Sequence, residues 1–272
     1  MKILITGATG FVGQTLIPQL QKQHSQVDIL TLNRSVRKAE IMYPSDTYPC
    51  VKHTYADDWK QVKLFNPELV VHLAAFNTSS NDSEVINSLV STNITYGILL
   101  LDALSQCESL KLFINTGSFS EYRWGTSCFK SAYLYAATKT AFRSFLDYYS
   151  DLYGFKYITA VPYSIYGGLP TIKRLMDYII ESIDSVEAID MTKGEQMLDF
   201  IHVDDVASFF VHVIQNIDKY QQLQNGHEDG SYWVPAEVNV SIRPGWFYHE
   251  EQDDQVKTVD QLLDVYSVSY TH

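Results

Sequence analysis

The chain alternates short apolar runs with longer segments in which apolar residues recur every three or four positions. Residues 2–6 (Lys-Ile-Leu-Ile-Thr) read as a β-branched strand, and 11–20 as a helix whose positions 12, 16, 17 and 20 share one face. Further strands are expected at 27–32, 51–55, 69–73, 111–115 and 157–161, with long helices over 85–105 and 132–152. Strands separated by helical crossovers specify an α/β protein with a doubly wound parallel sheet. Past Pro162 the alternation loosens into a turn at 166–170, helices at 172–183 and 204–217, a polar stretch at 221–230 and a last helical run at 259–266. Residues 1–165 therefore read as the sheet domain, and 166–272 as a smaller lobe interleaved with it.

The first strand runs directly into Gly7-Ala8-Thr9-Gly10-Phe11-Val12-Gly13. Gly7 permits a tight turn, Gly10 lets backbone amides approach a pyrophosphate, and Gly13 lets the following helix pack close to the strand. A glycine loop between a buried strand and a helix N-terminus is built to hold a phosphate. Residues 1–165 are therefore expected to form a dinucleotide-binding (Rossmann) domain, and the smaller lobe to bind the substrate.

Composition narrows the partners. With 272 residues, 46% of them hydrophobic, the chain has ample material for a core. A formal charge of -12, with Lys and Arg scattered, argues against a nucleic-acid surface. Three cysteines, Cys50, Cys107 and Cys128, lack paired spacing, so neither a metal site nor a disulfide framework is expected. No leader pattern precedes the first strand, and no apolar run approaches the roughly 20 residues of a membrane span, which leads us to expect a cytoplasmic protein without membrane contact.

The end of the second strand is where an acidic residue would bind a free 2′-hydroxyl of the adenosine ribose. Here it reads Leu32-Asn33-Arg34-Ser35, without a carboxylate. Arg34 can form charge-assisted bonds to a 2′-phosphate, and Asn33 and Ser35 can donate neutral ones, which favours NADP over NAD.

Tyr135 and Lys139 lie four apart in a helical run, a spacing that puts both on one face. Among 19 tyrosines a chance pair is expected, and Tyr48 with Lys52 is one, but Pro49 excludes a shared helix there. A tyrosine with an ordinary pKa near 10 needs a nearby cation to act as acid or base at neutral pH, and Lys139 supplies that charge. A further group should bond the substrate oxygen on which charge develops. The end of the fifth strand offers Thr116-Gly117-Ser118, with Ser118 the candidate.

These motifs, together with His72-Leu73-Ala74-Ala75 and the 199–206 segment Asp-Phe-Ile-His-Val-Asp-Asp-Val, resemble the extended short-chain dehydrogenase/reductases. These are the nucleotide-sugar epimerases, dehydratases and reductases, and the resemblance runs from residue 1 to about 217. It implies catalytic roles for Ser118, Tyr135 and Lys139. It also implies that Gly7, Thr9, Gly10, Phe11, Val12, Gly13, Asn33, Arg34 and Thr116 contact the cofactor. Tyr135 and Lys139 would do so as well, Lys139 through the ribose. Asn93 matches the family's active-site helix asparagine and would contact the cofactor, Asp57 would meet the adenine, Ala74 and Ala75 would pass under the cofactor, and Pro162 to Ser164 would touch the nicotinamide. The family's matching helices form a two-fold interface, so a homodimer is expected.

Departures from the family pattern shape the expected reaction. Dehydratases carry an Asp-Glu pair after the active-site hydroxyl, where this chain has Phe119 and Ser120. The segment Thr-Gly-Ser-Phe-Ser-Glu-Tyr at 116–122 is similar to that of the 4-keto reductases of dideoxysugar synthesis, the abequose and paratose synthases. The expectation is NADPH-dependent reduction of the C4 keto group of a nucleotide-linked 4-keto-6-deoxysugar. The alternatives are an NAD-dependent C4 epimerase and a non-catalytic dinucleotide-sensing scaffold. Leu198 stands where an arginine is common and Ser164 where asparagine is frequent, Arg174 or Arg243 could bind a diphosphate, and the last 50 residues match no part of the pattern.

Overall fold

A computed structural model describes residues 1–23, 27–122, 129–168, 175–185 and 199–222, with the strand 237–240. In chain order its first half comprises β1 (Lys2–Thr6), α1 (Gly13–Gln23), β2 (Asp28–Asn33), α2 (Val36–Met42), β3 (Val51–Tyr55), α3 (Trp59–Phe65), β4 (Leu69–His72), α4 (Ser83–Val90) and α5 (Tyr96–Leu104). Then follow β5 (Leu112–Thr116), α6 (Leu134–Tyr153), β6 (Lys156–Pro162), β7 (Ser164–Tyr166), α7 (Leu175–Asp184), β8 (Phe200–His202), α8 (Val203–Gln215), α9 (Ile217–Gln222) and β9 (Glu237–Val240).

The sheet is parallel, in the order β3-β2-β1-β4-β5-β6-β9. The chain winds outward from β1 to β3, returns to β4 on the other side of β1, and winds outward again. The reversal between β1 and β4 opens a crevice at their C-terminal ends, the place where such sheets bind ligands. The six expected strands are present, and β9 adds a seventh in a stretch where none was expected. β7 and β8 form a separate parallel pair.

Alternation along each strand feeds two cores. Ile3 and Ile5 of β1 face a cluster with Leu16, Ile17 and Leu20 of α1 and Phe210 and Val213 of α8. Leu4 of β1 faces the other way, into a cluster with Leu100 and Leu101 of α5 and Phe142 and Leu146 of α6. α6 ends at Gly154, whose φ of 75° supplies the left-handed cap.

The expected single helix over 85–105 is interrupted by one π-helical turn, Ser91–Thr95, between α4 and α5. Such a turn admits an extra residue and is common at functional sites. The combined segment Ser83–Leu104 is long and apolar enough by composition to cross a membrane, contrary to expectation. Its buried residues Leu89, Asn93, Leu100 and Leu101 nevertheless mark a helix packed on protein, against α3 and α6. The helix expected over 204–217 breaks at Asn216, whose Nδ2 donates to His212 O at 2.8 Å. The expected helical run at 259–266, together with Leu198, Arg174, Arg243 and Cys128, lies outside the described residues.

Candidate active site

The glycine loop leaves β1 at the switch point. Gly10 N donates to Gly7 O at 2.9 Å, closing a turn in which Gly7 has φ +70°. A Cβ on Gly7 would lie 2.7 Å from Ala74 N, and one on Gly13 would lie 2.3 Å from Ala8 O. Both glycines are thus required by the close approach of α1 and of the chain leaving β4, while Thr9, Phe11 and Val12 are half-exposed around the loop. A residue with no sequence signal holds this loop from outside: buried Tyr43, just past α2, donates to Ala8 O at 2.8 Å, with Gly13 O at 3.2 Å.

At the tip of β2, Asn33 is turned inward. Its Nδ2 donates to Thr31 O at 2.9 Å, Thr31 Oγ1 at 2.7 Å and Thr54 O at 3.4 Å. Only an NH2 can serve two carbonyls, so Oδ1 is the outstanding atom, and it is buried without a protein partner. The expectation that Asn33 donates to a 2′-phosphate is therefore corrected: its N–H groups are spent within β2 and β3. Arg34 and Ser35 are exposed, and the Ser35 hydroxyl caps α2 by accepting from Lys38 N at 3.3 Å. Asp57, after β3, is exposed, and its charge adds to burial in raising the Tyr96 phenol above its usual range.

β4 ends in a buried polar relay. Ala74 N donates to Thr6 Oγ1 at 3.1 Å, and Thr6 Oγ1 meets His72 Nδ1 at 2.8 Å. Either Thr6 Oγ1 or His72 Nδ1 can be the donor in that contact, since a hydroxyl that accepts from Ala74 N keeps a second lone pair as well as its own proton. Burial, reinforced by the Lys139 charge, pulls the His72 imidazole down to about 3, so it is neutral near pH 7. Beyond it, Ala74 is half-buried and Ala75 exposed.

Asn93, centre of the π turn, binds Phe76 from both sides: its Oδ1 accepts from Phe76 N at 2.8 Å and its Nδ2 donates to Phe76 O at 3.0 Å. Its second N–H goes to Thr138 Oγ1 at 2.9 Å. The Asn93 side chain is thus fully engaged within the protein and clamps the loop after β4 to α6. The expected direct contact of this amide with a cofactor gives way to a placing role.

Tyr135 and Lys139 both lie in α6 and are buried, as their spacing on one face requires. Burial lowers the Lys139 ammonium to about 8, with Glu121 opposing the fall and Arg143 adding to it. Ser118, also buried, starts a short 3-10 turn after β5, and its Oγ lies 2.7 Å from Ser120 Oγ. Glu121, fully buried, accepts from Ser118 N at 2.7 Å and binds Arg143 through both oxygens. Spacing arguments missed this pair, because the two residues are 22 apart and join only when β5 packs on α6.

Thr116 Oγ1 is buried without a protein partner at the tip of β5. Pro162 ends β6, and Ser164 N donates to Asp199 O at 3.1 Å, joining β7 to the chain entering β8. The Phe119 and Tyr163 rings stack at 5.6 Å between these two strand ends.

A glycine loop at the switch point, with a hydroxyl, a phenol and an ammonium gathered around β5 and α6, defines the class: an α/β enzyme of the short-chain dehydrogenase/reductase type. Comparison with known proteins narrows this, and the chain belongs to the NAD dependent epimerase/dehydratase family, whose sequence pattern matches residues 3–226. It is 26% identical over 240 residues to the CDP-abequose synthase of Yersinia pseudotuberculosis, covering 88% of this chain and 81% of the relative. The CDP-abequose synthase of Salmonella typhimurium is 25% identical over 238 residues, covering 82% and 74%. In fold the chain is similar to the UDP-glucuronic acid 4-epimerase from Bacillus cereus, solved in complex with NAD, with TM-score 0.70, 19% identity and coverage of 89% and 77%.

Proposed function

We propose that this enzyme reduces the C4 keto group of a nucleotide-linked 4-keto-6-deoxysugar with NADPH. The observation that carries the reading is the chemistry of the turn after β5. It offers the Ser118 and Ser120 hydroxyls and the Phe119 ring, while its one carboxylate, Glu121, is fully buried and committed to Arg143. A 4,6-dehydration needs a free acid and base at that place, whereas a ketone reduction needs only a hydroxyl and a proton donor. The similarity to CDP-abequose synthases supports the same substrate class.

The residues present fit a nicotinamide dinucleotide. The glycine loop is closed against α1 without side chains, and two buried polar atoms, Asn33 Oδ1 and Thr116 Oγ1, lack partners at strand tips flanking the crevice. When bound, NADPH would supply the hydride. Ser118 would hold the substrate carbonyl oxygen by its hydroxyl proton, and Tyr135 would give its phenolic proton to that oxygen as charge develops there. Lys139 would stabilise the phenolate left on Tyr135, and exposed Arg34 would pair with a 2′-phosphate. Gly7, Thr9, Gly10, Phe11, Val12 and Gly13 would line the pyrophosphate, and Pro162 and Ser164 the nicotinamide.

A specific observation favours a second reading, an NAD-dependent C4 epimerase. The unpartnered Asn33 Oδ1 is an acceptor, suited to a free ribose hydroxyl rather than a phosphate. The two readings separate in one experiment with NADPH and CDP-, dTDP-, GDP- or UDP-linked 4-keto-6-deoxysugars. Loss of nicotinamide absorbance in step with sugar consumed is expected. No oxidation, with NAD copurifying and the 4-hydroxy forms of the same nucleotide sugars, supplied in parallel without NADPH, interconverting as 4-epimers, would replace the reductase reading by the epimerase one.

We also infer a homodimer. α4, α5 and α6 expose Ile86, Leu99, Tyr148 and Leu152, an apolar set on the helices that cover one side of the sheet. Light scattering at a mass twice the chain's 31.1 kDa is the expected result, and the monomer mass would refute it.

A further inference from the structure

The buried Glu121–Arg143 ion pair joins the turn that carries Ser118 to the helix that carries Tyr135 and Lys139. We propose that it is a positioning pair, setting both the Ser118 hydroxyl and the electrostatic surroundings of Lys139. The proposal rests on the roles given above to Ser118 and Lys139.

Glu121 meets four donors: Arg143 Nε at 2.9 Å, Arg143 Nη2 at 3.1 Å, Ser118 N at 2.7 Å and Thr140 Oγ1 at 3.1 Å. The guanidinium in turn lies 4.9 Å from the Phe129 ring centroid and 5.8 Å from that of Tyr122. A buried ion pair is a poor way to gain stability, since apolar residues of the same volume do as well or better. What this pair does that a methionine and a leucine would not is fix geometry and field.

The geometry is that of Ser118. Its amide is bound to Glu121, and its Oγ accepts from Ser120 N at 3.3 Å. The 2.7 Å contact between Ser118 Oγ and Ser120 Oγ, in which either hydroxyl can donate, adds a second restraint on the Ser118 hydroxyl. With Ser118 bound at its amide and at its oxygen, its hydroxyl is placed in advance, which is what holding a carbonyl oxygen requires. Gly117 completes the fit, because a Cβ there would lie 2.7 Å from both Arg143 Nη2 and Glu121 Oε1.

The field is that of Lys139, one helical turn before Arg143 on the same face of α6. Glu121 from the turn after β5 favours the ammonium, and Arg143 disfavours it. His72 from β4, backed by the Tyr96 ring of α5, is neutral, and Tyr135 lies one turn earlier on α6. Burial sets the lowered range of Lys139, and within it the two opposed charges adjust how readily the ammonium keeps its proton.

The test uses the whole protein labelled on its lysine side chains for NMR titration, with the Lys139 signal identified by its loss in Lys139→Met. It needs neither substrate nor cofactor. Glu121→Gln, nearly isosteric, should lower the Lys139 midpoint and Arg143→Met should raise it, each by about one pH unit. Shifts of the same sign, or none, would overturn the proposal. Glu121→Leu/Arg143→Met removes both charges of the pair together, so their opposed effects on Lys139 cancel and it should fold with a midpoint near the wild type. In the reductase assay this double variant should lose about tenfold in kcat with an unchanged KM for NADPH, because Ser118 is no longer held. An unchanged kcat would mean that the pair is only structural. A wild-type protein inactive on every 4-keto sugar would refute the proposed function while leaving the titration to judge this one.

Discussion

The turn that follows β5 and the tip of β2 flank the same crevice and handle their polar atoms in opposite ways. Past Thr116, whose Oγ1 is left without a protein partner, Ser118, Ser120, Glu121 and Arg143 satisfy one another inside the protein, so the turn itself is finished before any ligand arrives. At β2, Asn33 keeps a buried oxygen without a partner and Arg34 extends into solvent. The difference matches the two tasks proposed for them above. A group that must meet a developing charge works best when it needs no reorganisation, so its neighbours hold it in advance. A group that selects among cofactors can leave its partner to the ligand, and the unmet valence is then the selectivity. Five perturbations, taken from large effect to small, test whether β5 is closed and β2 open.

The largest effect belongs to Tyr135→Phe, which removes the proton donor while keeping the buried ring of α6. Turnover should fall on the order of 10²- to 10⁴-fold, with NADPH affinity by fluorescence titration unchanged. Retained turnover would move the chemistry away from α6 and empty the β5 side of its purpose.

Acid should act next, through His72 behind Lys139. The imidazole is held at about 3 against an ordinary 6.5, so the unfolded chain binds a proton that the folded one refuses. Its contribution to stability is complete above pH 6.5 and is lost as pH falls through the window down to about 3, a few kcal/mol in all. Urea midpoints measured across that range should decline for the wild type and flatten for His72→Gln. An equal decline in both would mean that the relay from Ala74 through Thr6 is not what the acid breaks.

Much of this was legible in the sequence, for physical reasons that can be named. Strands and helices announce themselves by period, so the six strands from β1 to β6 and the shared face of Tyr135 and Lys139 follow from local pattern. The glycine loop is equally local. What escaped were features made by packing between distant segments. Glu121 reads as a solvated turn residue until α6 brings Arg143 to it, and Tyr43 reads as one aromatic among 19 tyrosines until its hydroxyl reaches Ala8 O. The π turn around Asn93 is invisible to a helical period because the residues on both sides keep it. Asn33 reads as a donor because side-chain direction at a strand tip is set by which carbonyls the neighbouring strand presents, here Thr54 O from β3.

Gly117→Ala probes the closed tip by crowding. The added methyl would sit 2.7 Å from Arg143 Nη2 and Glu121 Oε1, so the ion pair must open or the turn must shift. The expected cost is about 1–3 kcal/mol in urea denaturation, with kcat falling in parallel. Wild-type stability and turnover would show that the β5 tip yields easily, against its description as finished. Arg34→Ala probes the open tip. It removes one charge-assisted contact and should raise KM for NADPH about tenfold, leave KM for NADH alone and change stability little. Equal effects on both cofactors would assign Arg34 elsewhere.

The smallest effect decides how open the β2 tip is. Ser35 is exposed and caps α2, a seven-residue helix with no acidic side chain in its first turn. Its hydroxyl accepts from Lys38 N at the long distance of 3.3 Å. Ser35→Ala should therefore cost only ~0.5 kcal/mol, at the weak end for a lost cap, or roughly 1–2 °C in melting temperature for a domain of this size. Because the contact to Lys38 is made by a lone pair, the hydroxyl proton remains available to a ligand, but a neutral donor beside a guanidinium adds little. KM for NADPH should then rise less than the Arg34→Ala variant raises it. A rise as large as that of Arg34→Ala would mean that Ser35 places Arg34 through the start of α2. The β2 tip would then be organised in advance, as β5 is, and the contrast between the two strand ends would fail.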